Sequence, residues 1–218
     1  MINPERFSRI RGLLEQRQPD LTVLMDNVNK PHNLSAILRS CDAVGIETVH
    51  AVAVDKLIRN RQSAAKGSDK WITLRTHANT GEALGFLRKS GMQILVAHHG
   101  EASADFRTVD YTKPTAIVMG AELHGPSGTA ISTADRLVHI PMQGMVESLN
   151  VSVAAAVILF EAQRQRMTAG MYETPRFSDE YLKRRLFELA YPLVSKKLSA
   201  QGIAYPELDD EGRITGHD

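Results

Sequence analysis

LTVLMDNVNKPHNLSAILRSCDAVG, residues 21–45, decides the fold class. Its first five residues are almost wholly apolar and too few for a buried helix, which suits a strand covered on both faces. Pro31 and Asn33 then suit a helix start, and Asn33 to Val44 reads as that helix. The same alternation continues outward. Short apolar runs recur at Thr48–Val54, Met92–Ala97, Thr115–Met119 and Leu137–Ile140, and helical segments at Gly81–Lys89 and Ser148–Arg166. Trp71–Thr76 reads as a further strand or an edge element. Strands alternating with helices predict an α/β domain with a mainly parallel sheet flanked by helices.

The flanks have another character. Phe7, Ile10, Leu13 and Leu14 fall at helical spacing among Arg6, Arg9, Arg11 and Arg17, so Pro4–Gln16 reads as a short basic amphipathic helix. Ser178–Tyr191 reads as a helix capped by Ser178, and Pro192 ends or kinks it. Glu207–Asp218 holds five acids against one base and reads as a mobile tail.

Composition narrows the function. The chain has 218 residues, 43% of them hydrophobic, enough to build a core and to exclude wholesale disorder. A net charge of +1 gives no global polyelectrolyte signal, so binding to a polyanion must come from local patches. Six bases against one acid between Lys56 and Arg75 form such a patch, with Arg59, Arg61 and Lys66 at its centre. Lys183 and Arg184 form another, and the N-terminal helix a third. A single cysteine, Cys41, excludes an internal disulfide framework and a multi-cysteine zinc site. His98 and His99 are adjacent, which on a strand sends their rings to opposite faces, so no metal is expected. P-loop, dinucleotide-fingerprint, zincin and nucleophile-elbow motifs are missing. The longest apolar run, Val151–Phe160, is about half a membrane span. A cytoplasmic protein is the expectation.

Three segments carry chemistry. Residues 26–45 follow the first strand, where α/β sites form. Thr115–Ser127 runs from a buried strand through Gly120, Glu122 and Gly125, glycines that suggest close backbone approach. Residues 140–157 lead from a strand end through Gly144 to a small-residue-rich helix opened near Ser148. In this order the pieces Asn33-Leu-Ser-Ala-Ile-Leu-Arg39, Gly120-Ala-Glu122-Leu-His-Gly125 and Ile140-Pro-Met142 with Ser148-Leu-Asn150 resemble the three motifs of the SPOUT-class RNA 2′-O-methyltransferases, in their SpoU branch. The resemblance covers about residues 20–167. The basic N-terminal helix and the segments Glu161–Arg166, Gly170–Tyr172 and Tyr191-Pro192 are similar to the TrmH group of that branch. Pro126 and Ala97 depart from its pattern.

The resemblance implies three parts: an N-terminal basic helix at 1–19, a SPOUT methyltransferase domain at 20–167, and a helical extension with an acidic tail at 168–218. It implies a C-terminal trefoil knot, which the general rule against knots would not suggest. It also implies S-adenosylmethionine as cofactor, a homodimer, and methylation of a guanosine ribose 2′-hydroxyl in the tRNA D-loop, at tRNA position 18. The alternatives are methylation of ribosomal RNA and a non-catalytic RNA-binding protein or chaperone. By the same resemblance the catalytic set is Arg39, Asn33, Glu122, Ser148 and Asn150, and the cofactor set Ala97, Gly120, Ile140, Met142 and Leu149. Arg6, Arg9, Arg11, Arg59, Arg61, Lys66, Lys183 and Arg184 are the expected RNA contacts. A guanidinium is too weak an acid to make a good base, so Arg39 is expected to orient phosphate and ribose.

Overall fold

The apolar runs of the sequence become strands covered on both sides. In the computed structural model, which describes residues 2–52 and 71–215, the elements are α1 (Pro4–Glu15), β1 (Leu21–Asp26), α2 (Pro31–Ala43), β2 (Thr48–Val52) and β3 (Thr73–His77). Then come α3 (Thr80–Lys89), β4 (Gln93–Ala97), β5 (Ala104–Asp105), β6 (Thr115–Gly120), α4 (Gly128–Thr133), β7 (Arg136–His139) and α5 (Val151–Thr168). The chain ends with α6 (Asp179–Ala190), α7 (Pro192–Ala200), β8 (Glu207–Leu208) and β9 (Ile214–Thr215). Two compact units result, Gln18–Gly170 and Met1–Arg17 together with Met171–Asp218.

In the larger unit the strands run in the order β3-β2-β1-β6-β4-β7-β5, each parallel to its neighbours. Successive side chains alternate between faces. Leu21, Val23, Met25, Leu95, Ile117 and Met119 join one core, with residues of α2 and α5. Leu24, Ile94, Val96, Ala116 and Val118 join the other, with residues of α3 and α4. That double cover is why the strands read as unbroken apolar runs.

A buried arginine ties the end of α5 to the sheet's starting edge. Arg166 donates through Nε to Tyr111 O (2.9 Å), and through Nη1 to Gln18 Oε1 (3.1 Å) and Asp20 Oδ1 (2.6 Å). Its Nη2 donates to Asp20 O and Lys113 O, both at 3.1 Å. All five guanidinium donors are used, as a fully buried cation requires. Removing one partner of such a buried pair costs about 3–5 kcal/mol.

In the smaller unit α1 buries Phe7, Ile10 and Leu14, the amphipathic stripe expected of it. Phe187 of α6 stacks on Tyr205, and Tyr191 Oη donates to Gly212 O at 2.7 Å.

Several boundaries differ from expectation. Asn150, not Ser148, caps α5: its Oδ1 accepts from Ser152 N at 2.9 Å. Asn33 is not a cap but a buried residue inside α2, which starts at Pro31 behind Lys30. Pro192 opens a further helix, its missing N–H being harmless at a first turn. Glu207–Thr215 holds the short β8–β9 hairpin, where a mobile tail was expected. Ala53, Val54 and the basic residues Arg59, Arg61 and Lys66 lie outside the described residues.

The sheet also buries a titratable pair. His50 on β2 and His77 on β3 stack with centroids 5.1 Å apart and share an Nδ1···Nε2 hydrogen bond of 2.8 Å. One nitrogen must donate and the other accept, so the pair excludes double protonation. His77 Nδ1 also lies 3.5 Å from Glu82 Oε1. Burial first, then the neighbouring His77 and Arg75, hold the His50 imidazole down to about 4 from its ordinary 6.5. The unfolded chain therefore binds the extra proton more readily. Stability from this site is complete above pH 6.5 and is lost as pH falls toward 4, by about 3 kcal/mol in all. Urea midpoints measured from pH 7.5 down to 4.5, about the window set by those values, should fall more steeply for the native chain than for His50→Gln. Parallel profiles would contradict this account.

Candidate active site

Ligands of parallel sheets bind beyond the strands' carboxyl ends, near where the strand order reverses. Here the chain moves outward from β1 to β3, then returns to β4 on the far side, and β6 fills the gap between β1 and β4. Asp26, the last residue of β1, pairs in register with Gly120, the last of β6. The first two motif segments thus leave the sheet side by side.

Asp26 is fully buried and organises both exits. It accepts from Thr80 Oγ1 (2.6 Å) at the start of α3, from Ser127 N (2.7 Å) ahead of α4, and from Asn27 Nδ2 (2.9 Å). The sequence alone assigns it no role. The signal was there: a carboxylate closing an otherwise apolar strand must find donors.

After Gly120 the chain folds back on itself. Ala121 N donates to Gly125 O (3.0 Å) and Gly125 N to Ala121 O (2.8 Å), with Gly125 at φ +68°. A Cβ at Gly120 would overlap the backbone of Gly125 and Pro126. The tight turn holds Glu122 over the first turn of α2, where Asn33 Nδ2 donates to its Oε1 at 2.5 Å. The same amide accepts at Oδ1 from Asn150 Nδ2 at 3.3 Å. One amide thereby joins all three motif segments, with both its donor and its acceptor end in use.

Beside this network lies a pocket of about 420 Å³. Ala97, Gly120, Ile140, Met142 and Leu149, the whole expected cofactor set, line it, and so do Glu122, Ser148 and Asn150. The residues present fit S-adenosylmethionine. The volume lies in the range of about 300–1,000 Å³ of small-molecule sites, and the walls combine apolar side chains with strand-end backbone. His139, also on the wall, keeps a buried Nδ1 without a hydrogen-bond partner among the described residues. His98 and His99 line the pocket too, because they lie just past the end of β4 rather than on it. Among the described residues no cluster of metal ligands occurs.

Arg39 and Ser148 stand apart from the network. Arg39 is exposed on α2, with no hydrogen bond or ion pair among the described residues. Of the expected RNA contacts, Arg6 and Arg9 are exposed on α1, and Lys183 and Arg184 on α6. Arg184 lies over the Tyr181 ring, 5.2 Å from its centroid. Arg11 already pairs with Asp210 at 3.7 Å and packs over Phe7.

Comparison with known proteins places the class. Residues 20–160 match the SpoU rRNA methylase family and residues 164–217 its C-terminal region. The chain belongs to the SpoU methylase family. It is 48% identical over 215 residues to the tRNA (guanosine(18)-2′-O)-methyltransferase of Escherichia coli (strain K12), covering 98% of this chain and 94% of that one. The crystal structure of the Aquifex aeolicus TrmH/SpoU tRNA modifying enzyme superposes with a TM-score of 0.78 at 41% identity, covering 86% of this chain and 96% of that one. The SpoU methyltransferase AviRb from Streptomyces viridochromogenes, solved in complex with the cofactor AdoMet, gives a TM-score of 0.61 at 31% identity, over 71% of this chain and 59% of that one.

The turn after β6 makes a specific demand. Gly120→Ala should destabilise the chain by about 1–3 kcal/mol, the range for overpacking a tight site. The turn must open to admit the methyl group. Urea unfolding measures the loss; an unchanged midpoint would mean the turn yields freely.

Proposed function

We propose that this chain transfers a methyl group from S-adenosylmethionine to the ribose 2′-hydroxyl of guanosine 18 in tRNA. The observation that carries this reading is the near full-length similarity to the Escherichia coli tRNA (guanosine(18)-2′-O)-methyltransferase. The joining of the three motif segments at one pocket agrees with it.

When bound, S-adenosylmethionine supplies a methyl group already activated on a sulfonium. The chain's residues then have three tasks: alignment, exclusion of water, and control of the departing proton. Ala97, Gly120, Ile140, Met142 and Leu149 would hold the nucleoside. Asn33 and Glu122, already bonded to each other, would position the ribose, and Ser148 and Asn150 would shape the cofactor loop. Arg39 keeps its guanidinium uncommitted among the described residues, so its planar fork is free for a phosphate beside the target ribose. Such a fork stabilises a forming alkoxide without itself taking the proton. Exposed Arg6, Arg9, Lys183 and Arg184 supply charge for the tRNA backbone, and Arg11, Arg59, Arg61 and Lys66 complete the expected set.

A homodimer fits the same reading. Val153, Phe160 and Met167 recur every seven residues along α5 and are exposed, as are Leu123, Met145 and Val146 near the pocket. An exposed apolar stripe along one face of a helix suits an interface. Among the described residues no helix is long and apolar enough to cross a membrane, and activity on tRNA in the cytoplasm is part of the same proposal.

Purified protein, labelled S-adenosylmethionine and an unmodified tRNA transcript test the reaction, with nucleoside mapping as the readout. Label is expected in 2′-O-methylguanosine of the D-loop; transfer to ribosomal RNA alone would overturn the assignment. Arg39→Lys keeps the charge and loses the fork. It should lower kcat at least about tenfold, a loss of roughly 1.4 kcal/mol of transition-state binding, while S-adenosylhomocysteine binds as before. Sedimentation velocity should give a dimer for the native chain and a monomer for Phe160→Glu.

A further inference from the structure

The pocket wall carries two fixed charges that the asparagine network does not use. Lys30, just ahead of α2, and Glu147, on the segment leading into α5, both line it. Both are exposed, and neither side chain has a hydrogen bond or ion pair among the described residues. Among the described residues Lys30 is the one lysine or arginine on that wall. The other carboxylate there, Glu122, is engaged by Asn33 at 2.5 Å. The remaining described side chains on the wall carry no permanent charge.

One cation and one anion on a common wall complement an α-amino acid zwitterion. Its carboxylate favours an ammonium partner and its ammonium a carboxylate. The inner wall of Ala97, Gly120, Ile140, Met142 and Leu149 has the opposite character and suits a nucleoside. We propose that Lys30 and Glu147 clamp the amino-acid end of S-adenosylmethionine, Lys30 on its carboxylate and Glu147 on its ammonium. The proposal rests on the cofactor reading above. The two residues come from different segments, so holding both ends of the zwitterion restrains the flexible tail and thereby the orientation of the sulfonium. Lys30 and Glu147 are thus positioning residues for the methyl group.

Calorimetric titration with two nucleosides isolates this contact. S-Adenosylhomocysteine has the amino-acid end, and 5′-methylthioadenosine lacks it. Lys30→Met and Glu147→Gln should each weaken S-adenosylhomocysteine about 5- to 10-fold, the size of one exposed charge-assisted contact. Binding of 5′-methylthioadenosine should stay unchanged, which also shows that each variant is folded. Unchanged S-adenosylhomocysteine affinity overturns the clamp, and so does a parallel loss for both nucleosides. A Lys30→Met variant that loses only tRNA affinity in filter binding reassigns the lysine to an RNA phosphate. If the native chain binds neither nucleoside, the cofactor reading itself fails.

Discussion

The guanidinium of Arg166 holds the larger unit closed. Its five hydrogen bonds reach Gln18 and Asp20 ahead of β1 and Tyr111 and Lys113 ahead of β6. Those are the two strands whose carboxyl ends carry the first two motif segments. A buried cation is unfavourable unless every donor is satisfied, so the position of α5 is fixed by the acceptors it must meet. The opposite end of the same helix places Asn150. The helix is a rigid bar: anchored by charge at its last turn, it delivers an amide at its first.

That amide matters through its partner. Asn33 has a donor end and an acceptor end, and Glu122 and Asn150 occupy one each. An amide can pass on orientation but not a proton, since its nitrogen neither gains nor loses one near neutral pH. The two asparagines therefore fix geometry, and the Glu122 carboxylate is the one member of the network able to accept a proton.

Much of the fold was legible because both sheet faces are buried, so strands such as Leu21–Met25 and Thr115–Met119 showed as unbroken apolar runs. The two-residue β5 and six-residue α4 are too short for any periodicity to emerge. Pro192 was ambiguous because a proline can end one helix or begin the next. At the site, the pocket wall was legible only through the family resemblance. The asparagines look like ordinary caps in sequence, and for Asn150 that is half true: it caps α5 and also reaches Asn33. Asp26, Lys30 and Glu147 escaped notice because their importance depends on which strand ends meet, and local spacing does not carry that information.

The insertion of β6 between β1 and β4 has a consequence for biosynthesis. As the chain emerges, β1 through β4 are all available before the strand that must lie between two of them. The central seam of the sheet closes only when residues 115–120 arrive, and the Arg166 tether only after α5 is complete. Pairings of such long sequence separation form slowly. The pocket sits on that seam, so no early intermediate can offer it. A nucleoside that fills it recognises only the finished chain, and by mass action it shifts the equilibrium of the whole unit toward the folded state.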